Sequence, residues 1–181
     1  MSKVEKLIIL DRDGVINQDS LYYIKSPEEY VLIPGSCEAI ARLNQAGYRV
    51  AVATNQSGVA RGYYDEVQLA AIHHKMITAV QAAGGQIDYV VHCPHMPDAG
   101  CDCRKPKPGM LAEISQYFGC SIEGVPFIGD RVSDIQAAEA AGAEPFIILS
   151  PMTDRFGLAA YPHVPAFTSL SHCVDTLLAH Q

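Results

Sequence analysis

The sequence contains no tryptophan, few charged residues and no hydrophobic run long enough to cross a membrane. Charged residues make up 18% of the 181 positions, and the excess of Asp and Glu over Lys and Arg gives a net charge of −7. An acidic chain without basic clusters argues against nucleic acid or an anionic membrane as a partner. A small anionic substrate stays compatible with this composition, because a few local cations can override the overall sign.

The chain also has no internal repeat, no low-complexity tract and no recognisable linker. Its length and its hydrophobic content of 49% suffice for one buried core, which predicts a single domain over residues 1–181. We expect this domain to act as a monomer. Six cysteines are present, but nothing in the sequence indicates secretion, so we expect reduced thiols and a cytoplasmic protein.

Short apolar runs alternate with amphipathic segments along the chain. The apolar runs predict strands at residues 7–10, 49–54, 87–92, 125–128 and 145–149, with a short edge strand at 164–167. The amphipathic segments predict helices at residues 37–46, 65–83, 108–118, 133–141 and 169–179. Ser36 and Asp65 are the expected caps of the first two helices. This alternation predicts an α/β fold, with a Rossmann-like, mostly parallel sheet and helices on both faces.

Two acidic residues, Asp11 and Asp13, directly follow the first predicted strand. In an open α/β sheet, ligands bind outside the carboxyl ends of the strands. Two carboxylates this close repel each other unless a cation or hydrogen-bond donors compensate. The pair therefore indicates a metal-assisted site, in which one Asp is a nucleophile and the other handles protons. The alternative is a polar turn after a strand, for which Asp-Gly is common.

Other predicted strands also lead into polar residues, and in a parallel sheet these residues share one rim. They are Thr54 and Asn55, Arg104 and Lys105, and Asp130 with Asp134. Several acids, two cations and a hydroxyl on one rim are suited to phosphoryl transfer. Taken singly, Thr54 could be only a strand end, Asp130 a helix cap and Lys105 a solvated cation.

Together these residues resemble the motifs of the haloacid dehalogenase superfamily of phosphohydrolases, and the resemblance covers essentially the whole chain. The matching motifs occur in the superfamily's order: Asp11-Arg12-Asp13-Gly14, Thr54, Lys105, and Gly129-Asp130 followed by Asp134. The resemblance implies that Asp11 forms an aspartyl-phosphate and that Asp13 is the general acid and base. It also implies that Thr54 and Lys105 stabilise the phosphoryl group. The implied ligands of a catalytic Mg²⁺ are Asp11, Asp130 and the main-chain carbonyl of Asp13.

The chain leaves no room for an inserted cap domain, either between residues 17 and 34 or between the second and third strands. We therefore expect a capless enzyme whose loops determine specificity, namely residues 19–30, residues 55–64 and the cysteine-rich loop described next. Asp134 is expected to act through a metal-bound water or by orienting its neighbours. Arg131 stands where Lys is common in the superfamily, so its role stays open.

The cysteine-rich loop has the pattern C-x-H-x5-C-x-C, formed by Cys93, His95, Cys101 and Cys103. Three thiolates and one imidazole fit a closed tetrahedral Zn²⁺ site, which would be structural. Such a site would fix the loop that carries Arg104 and Lys105. A redox thiol pair, unrelated free cysteines, and His92 as a substitute ligand are the alternatives.

The remaining cysteines and one histidine pair receive no functional assignment from the sequence. Cys37, Cys120 and Cys173 lie in or beside predicted helices and are expected to be buried thiols. The pair His73-His74 lies in the middle of a predicted helix without partner spacing, so it receives no role.

Within the superfamily, two groups share this zinc loop, the heptose 1,7-bisphosphate phosphatases and the histidinol-phosphate phosphatases. Residues 54–63 and 105–110 resemble the heptose group, whereas the five-residue zinc spacing is usual in the histidinol group. The resemblance to the heptose group implies a sugar bisphosphate substrate, whose C7 phosphate is removed for ADP-heptose and lipopolysaccharide core biosynthesis. A histidinol-phosphate phosphatase, another small phosphomonoesterase and a non-enzymatic zinc module are the alternatives.

A bisphosphate substrate requires a second anion site, and Arg104 is suited to it because guanidinium binds phosphate in a bidentate manner. The resemblance also implies contacts from the loops that follow the first two strands. The complete set of expected substrate contacts is Asp19, Tyr22, Thr54, Asn55, Gln56, Ser57, Arg104 and Lys105.

Overall fold

The computed structural model describes residues 6–180, so residues 1–5 and 181 of the predicted domain lie outside the description. Its strands form one parallel sheet with the order β3-β2-β1-β4-β5-β6. The strands are β1 (Lys6–Leu10), β2 (Tyr48–Asn55), β3 (Tyr89–Cys93), β4 (Pro126–Gly129), β5 (Glu144–Ile148) and β6 (Ala166–Phe167). The predicted α/β fold with a parallel sheet is confirmed, including the short edge strand.

Helices cover both faces of this sheet. They are α1 (Ser36–Gln45), α2 (Glu66–Ala82), α3 (Gly109–Phe118), α4 (Val132–Ala141) and α5 (Leu170–Ala179). Alternate residues of β1 point to opposite sides, so that Ile8 packs with α1, α2 and α5, whereas Ile9 packs with α3 and α4. Both faces are therefore apolar, as expected for strands that are buried on two sides.

The ends of the helices confirm one predicted cap and correct another. Asp65 caps α2 by accepting a hydrogen bond from the backbone N–H of Gln68, and the Gln68 side chain completes a capping box. Ser36 is not a cap, because α1 begins at Ser36 itself and Gly35 precedes the helix with φ of +89°. The Ser36 hydroxyl instead donates to the Val15 carbonyl at 2.8 Å, inside the core.

The carboxyl ends of the central strands define where a ligand can bind. The chain order reverses at β1, which lies between β2 and β4, and such switch points open a crevice at the strand ends. The connection from β1 to α1 contains one 3₁₀ turn (Pro27–Glu29), and the connection from β2 to β3 contains α2. Loops rather than an inserted domain therefore border the crevice in the described chain. Among residues 6–180, no helix is long and apolar enough to span a membrane.

Candidate active site

A cavity of about 520 Å³ opens at the carboxyl ends of β1, β2 and β4. It is lined by most of the residues that the sequence pointed to: Asp11, Asp13, Asp19, Asn55, Gln56, Ser57, Arg104, Lys105, Arg131 and Asp134. The parallel sheet thus brings together side chains from four separate loops. Its wall contains both acids and cations, which suits an anionic ligand that also needs a metal ion.

Three carboxylates, from Asp11, Asp130 and Asp134, offer oxygen atoms that all lie within 4.8 Å of one another. Burial, followed by the charge of Asp134, raises the pKa of Asp130 to about 7. Oδ2 of Asp130 accepts a hydrogen bond from the Ser150 hydroxyl at 2.7 Å, whereas its buried Oδ1 has no hydrogen-bond partner. A buried carboxylate with an unpartnered oxygen fits a hard cation such as Mg²⁺.

The glycine of the first motif is required by this close packing. Gly14 has φ of +83°, and a Cβ atom at this position would overlap the carboxylate of Asp130. Any other residue would therefore have to displace the Asp130 side chain and adopt a strained backbone conformation.

Lys105 is the cation at the centre of the acidic cluster, and only 4% of its surface is exposed. Its Nζ atom lies 3.0 Å from Asp11 Oδ1 and 2.7 Å from Asp134 Oδ1, and it donates to the Ala53 carbonyl at 3.0 Å. Burial alone would lower the pKa of Lys105, but the two carboxylates raise it above its ordinary value, so the amine stays charged. Burial and the charge of Asp134 raise the pKa of Asp11, and Lys105 opposes that rise.

The side chain of Asp134 contacts both a cation and the protein backbone. Besides pairing with Lys105, it accepts hydrogen bonds from the backbone N–H groups of Asp130 and Arg131 through Oδ2, at 3.1 and 3.0 Å. Asp134 thereby holds the backbone at the point where β4 leads into α4.

Asp13 is held by several donors from the buried side of the cavity. Oδ1 accepts hydrogen bonds from Nε and Nη2 of Arg12 and from Nδ2 of Asn17, and Oδ2 accepts one from Nε2 of Gln56. Burial alone would raise the pKa of Asp13, but Arg12 and the other donors hold it below its ordinary value.

The expected substrate contacts differ in how they face the cavity. Asn55 lines the cavity, and its amide also hydrogen bonds to the backbone of Lys105. Thr54 is fully buried, and its hydroxyl accepts a hydrogen bond from Gln56 Nε2 at 2.9 Å. Asp19 lies at the cavity wall and pairs with Arg131 at 2.8 Å.

The expected contact from Tyr22 does not agree with the structure. The Tyr22 side chain is 81% exposed and is not among the lining residues, whereas the next residue, Tyr23, lines the cavity. Tyr23 has a backbone φ of +68°, which places it in the left-handed region that non-glycine residues adopt only rarely.

The four residues of the cysteine-rich loop also converge. Their ligand atoms lie within 4.8 Å of one another, with 3.0 Å between the Sγ atoms of Cys93 and Cys103 and 3.3 Å from Cys103 Sγ to His95 Nδ1. The three cysteines are unbridged, and together with His95 this set of donors fits Zn²⁺. His92 points elsewhere and pairs with Glu66 at 2.9 Å. Of the other cysteines, Cys37 and Cys173 are buried as expected, but Cys120 is only half-buried, at the end of α3.

Two residues behind the cavity, Arg12 and His73, were not among the site residues expected from the sequence. Arg12 is one of the largest fully buried side chains, and its Nη1 atom lies 3.2 Å from Nε2 of His73. His73, for which no partner was evident from the sequence, thus has a hydrogen-bonding partner across the fold. One signal was available: Arg12 stands inside the first motif, where a buried cation needs partners.

The sequence matches the haloacid dehalogenase-like hydrolase family over residues 3–142. The parallel sheet, the motif order and the acidic cluster around Lys105 agree with this match, and the chain belongs to the haloacid dehalogenase-like hydrolases.

Two individual proteins that carry the same name are similar to this chain over most of their length. The chain is 55% identical to the D-glycero-beta-D-manno-heptose-1,7-bisphosphate 7-phosphatase of Pseudomonas putida over 150 residues, which are 83% of this chain and 86% of that protein. Its identity to the protein of the same name from Bordetella bronchiseptica is 53% over 143 residues, or 79% and 80% of the two chains.

A solved structure agrees closely with the fold. The crystal structure of D,D-heptose 1,7-bisphosphate phosphatase from B. bronchiseptica, complexed with magnesium and phosphate, superposes with a TM-score of 0.91 at 44% identity. The superposition covers 97% of this chain and 99% of that one. The structure of that relative holds a divalent cation and a phosphate.

Proposed function

We propose that this chain is a Mg²⁺-dependent phosphatase that removes the C7 phosphate of D-glycero-D-manno-heptose 1,7-bisphosphate. The observation that carries the proposal is the placement of Lys105 between Asp11 and Asp134, beside an Asp130 carboxylate with an unpartnered oxygen. A nucleophile, a cation for phosphoryl oxygens and ligands for a metal thereby share one cavity. The named relatives support the choice of substrate.

In the proposed reaction, Asp13 takes up a proton as the anionic substrate binds beside it, because a neighbouring anion favours the neutral acid. Asp11 then attacks phosphorus in line and forms an aspartyl-phosphate, as the leaving sugar oxygen takes that proton from Asp13. Asp13 then takes a proton from the water that hydrolyses the intermediate. Lys105 and Thr54 stabilise the charge on the phosphoryl oxygens. Asp11, Asp130 and the main-chain carbonyl of Asp13 would hold Mg²⁺, which neutralises charge on the transferring group.

The phosphate that remains on the product needs its own site, and we assign it to Arg104. This side chain lines the cavity and donates one hydrogen bond to the His95 carbonyl at 3.3 Å, which leaves other guanidinium donors for a ligand. Asn55, Gln56, Ser57 and Asp19 complete the proposed sugar and phosphate contacts from the same cavity wall.

We further propose that Cys93, His95, Cys101 and Cys103 bind a structural Zn²⁺ that fixes the loop preceding Arg104 and Lys105. Thiolate ligands of this kind persist in a reducing compartment, which supports a cytoplasmic enzyme. The product, heptose 1-phosphate, would serve ADP-heptose formation and the synthesis of lipopolysaccharide core or a related glycan.

The proposal is tested with a panel of phosphate esters, with phosphate release measured with and without Mg²⁺. The panel contains both anomers of the heptose bisphosphate, heptose 7-phosphate and histidinol phosphate. We expect the highest kcat/KM with one of the bisphosphate anomers and no turnover after removal of Mg²⁺. A preference for histidinol phosphate would refute the substrate assignment, and the absence of any release would refute the enzymatic function.

A further inference from the structure

The two oxygens of the Asp13 carboxylate have different surroundings. Oδ1 accepts three hydrogen bonds, from Arg12 Nε at 2.9 Å, Arg12 Nη2 at 2.8 Å and Asn17 Nδ2 at 2.9 Å. Oδ2 accepts one, from Gln56 Nε2 at 3.0 Å. An oxygen that already accepts three hydrogen bonds has little capacity to carry a proton, whereas Oδ2 retains a lone pair.

Gln56 is itself fixed by two further partners. Its Nε2 also donates to Thr54 Oγ1 at 2.9 Å, and its Oε1 accepts from the Tyr64 hydroxyl at 2.6 Å. Tyr64 is buried, which raises the pKa of its phenol to about 12 and keeps it a donor. Both amide hydrogens and the amide oxygen are therefore committed, so the amide cannot flip without breaking hydrogen bonds.

Arg12 is equally restricted, because its side chain is almost completely buried behind the cavity. Its guanidinium lies over the ring of Tyr30, with 5.7 Å between Cζ and the ring centroid, and its Nη1 lies 3.2 Å from His73 Nε2. Burial, followed by the charges of Arg12 and His92, lowers the pKa of His73 to about 3, so the ring is neutral and accepts the hydrogen bond. A buried ion pair gains little stability in itself, which favours an orienting role.

We propose that His73, on α2, is a positioning residue for proton transfer: it fixes Arg12, which turns the Asp13 carboxylate so that Oδ2 alone exchanges the proton. The inference rests on the proposed phosphatase function. As the phosphorus–oxygen bond to the sugar breaks and the bond to Asp11 forms, the leaving oxygen takes the proton from Oδ2. As water attacks the aspartyl-phosphate, Oδ2 takes a proton from that water and the carboxylate of Asp11 leaves.

A test must distinguish impaired proton transfer from a general loss of structure. Two substrates whose leaving groups differ in acidity make this distinction. A sugar alcohol needs protonation as it leaves, whereas 4-nitrophenol leaves readily as an anion. The ratio kcat/KM reports events only up to leaving-group departure, so later hydrolysis of the intermediate does not enter. A misplaced general acid therefore lowers kcat/KM for the sugar phosphate far more than for 4-nitrophenyl phosphate.

The central variant is His73→Leu, which removes the acceptor and keeps a buried side chain of similar bulk. Because a general acid contributes on the order of 10²–10⁴-fold, we expect about a tenfold or larger fall in kcat/KM for the sugar phosphate. We expect less than about a threefold change in kcat/KM for the aryl ester. Asp13→Asn should show the same contrast between the two esters. His73→Gln, which restores an acceptor, should recover most of the loss. His74→Leu, on the exposed side of the same helix, should leave kcat/KM unchanged for both esters.

The second variant, Tyr64→Phe, tests the other support of the carboxylate and covers the case in which His73→Leu does not fold. We expect it to lower kcat/KM for the sugar phosphate more than for the aryl ester, because Gln56 loses the donor that fixes its amide. The positioning role would be overturned if each variant lost equal activity on both esters, or if neither variant lost activity on either ester. Turnover by the wild-type protein in the same experiment would show that the proposed function itself still holds. A wild-type protein inactive on every ester would overturn the proposed function first.

Discussion

The side-chain amide of Asn55 hydrogen bonds to both backbone polar groups of Lys105. Oδ1 of Asn55 accepts from the Lys105 N–H at 3.1 Å, and Nδ2 donates to the Lys105 carbonyl at 3.2 Å. Asn55 is the last residue of β2, so the rigid sheet fixes the position of a loop residue that follows β3. From this fixed backbone position, the lysine side chain reaches both Asp11 and Asp134.

The first prediction concerns this anchor. We expect Asn55→Ala to lower kcat/KM about tenfold or more, because Lys105 loses the contacts that place its amine between the two acids. The loss of two hydrogen bonds to backbone groups should also cost about 1–2 kcal/mol of the free energy of unfolding. Steady-state kinetics and urea denaturation measure the two effects.

Asn44 provides a matched control. Its amide also makes two backbone hydrogen bonds, donating to the Tyr48 carbonyl at 3.1 Å and accepting from the Gln86 N–H at 2.8 Å, but it lies away from the cavity. Asn44→Ala should lose similar stability without losing activity. If both variants lost activity in proportion to stability, Asn55 would have no specific link to Lys105.

The second prediction concerns the proposed nucleophile. Asp11→Asn keeps the shape of the side chain but removes the carboxylate that attacks phosphorus, so we expect kcat to fall by about 10³-fold or more. Folding and zinc content should be unchanged. The measurement is phosphate release together with circular dichroism and metal analysis. Near-normal turnover would exclude Asp11 as the nucleophile, and Asp175→Asn, at an exposed ion pair with Arg42, should leave kcat unchanged.

Sequence patterns were sufficient to predict the rim of the sheet. Asp11, Thr54 and Asp130 each lie at or directly beyond the end of a strand, and parallel pairing necessarily brings such positions to one edge. Lys105 could be expected nearby because it follows the loop after β3. These predictions depended only on strand direction, which the alternation of strands and helices determines.

The parts that could not be predicted depend on individual backbone angles and on contacts across the fold. Tyr23 rather than Tyr22 lines the cavity, in an irregular loop whose backbone angles the sequence does not indicate. The partnership of Arg12 with His73 joins β1 to α2, and nothing in the helical pattern distinguishes His73 from an ordinary core residue. Buried polar networks of this kind are found only once the packing is known.

The third prediction concerns the cysteine-rich loop. The purified protein should contain about one zinc per chain, and Cys101→Ser should lower both the zinc content and the melting temperature. Activity should fall as well, because Arg104 and Lys105 directly follow the last proposed ligand, Cys103. Metal analysis, thermal unfolding and kinetics check these effects. Cys120→Ser changes a half-buried cysteine outside the cluster and should keep the zinc; equal zinc in both variants would exclude the proposed site.

The fourth prediction separates substrate recognition from chemistry at Arg104. A hydrogen bond to a charged group contributes about 1.5–3 kcal/mol, so loss of a guanidinium–phosphate contact should lower kcat/KM by about 10–100-fold. We expect Arg104→Ala to show this loss with heptose 1,7-bisphosphate and less than about a threefold loss with heptose 7-phosphate, which lacks the second phosphate. Arg42→Ala, at the exposed pair with Asp175, should affect neither substrate. Equal losses on both substrates would instead assign Arg104 to the transferred phosphate, because the C7 phosphate is the only phosphate that both molecules carry.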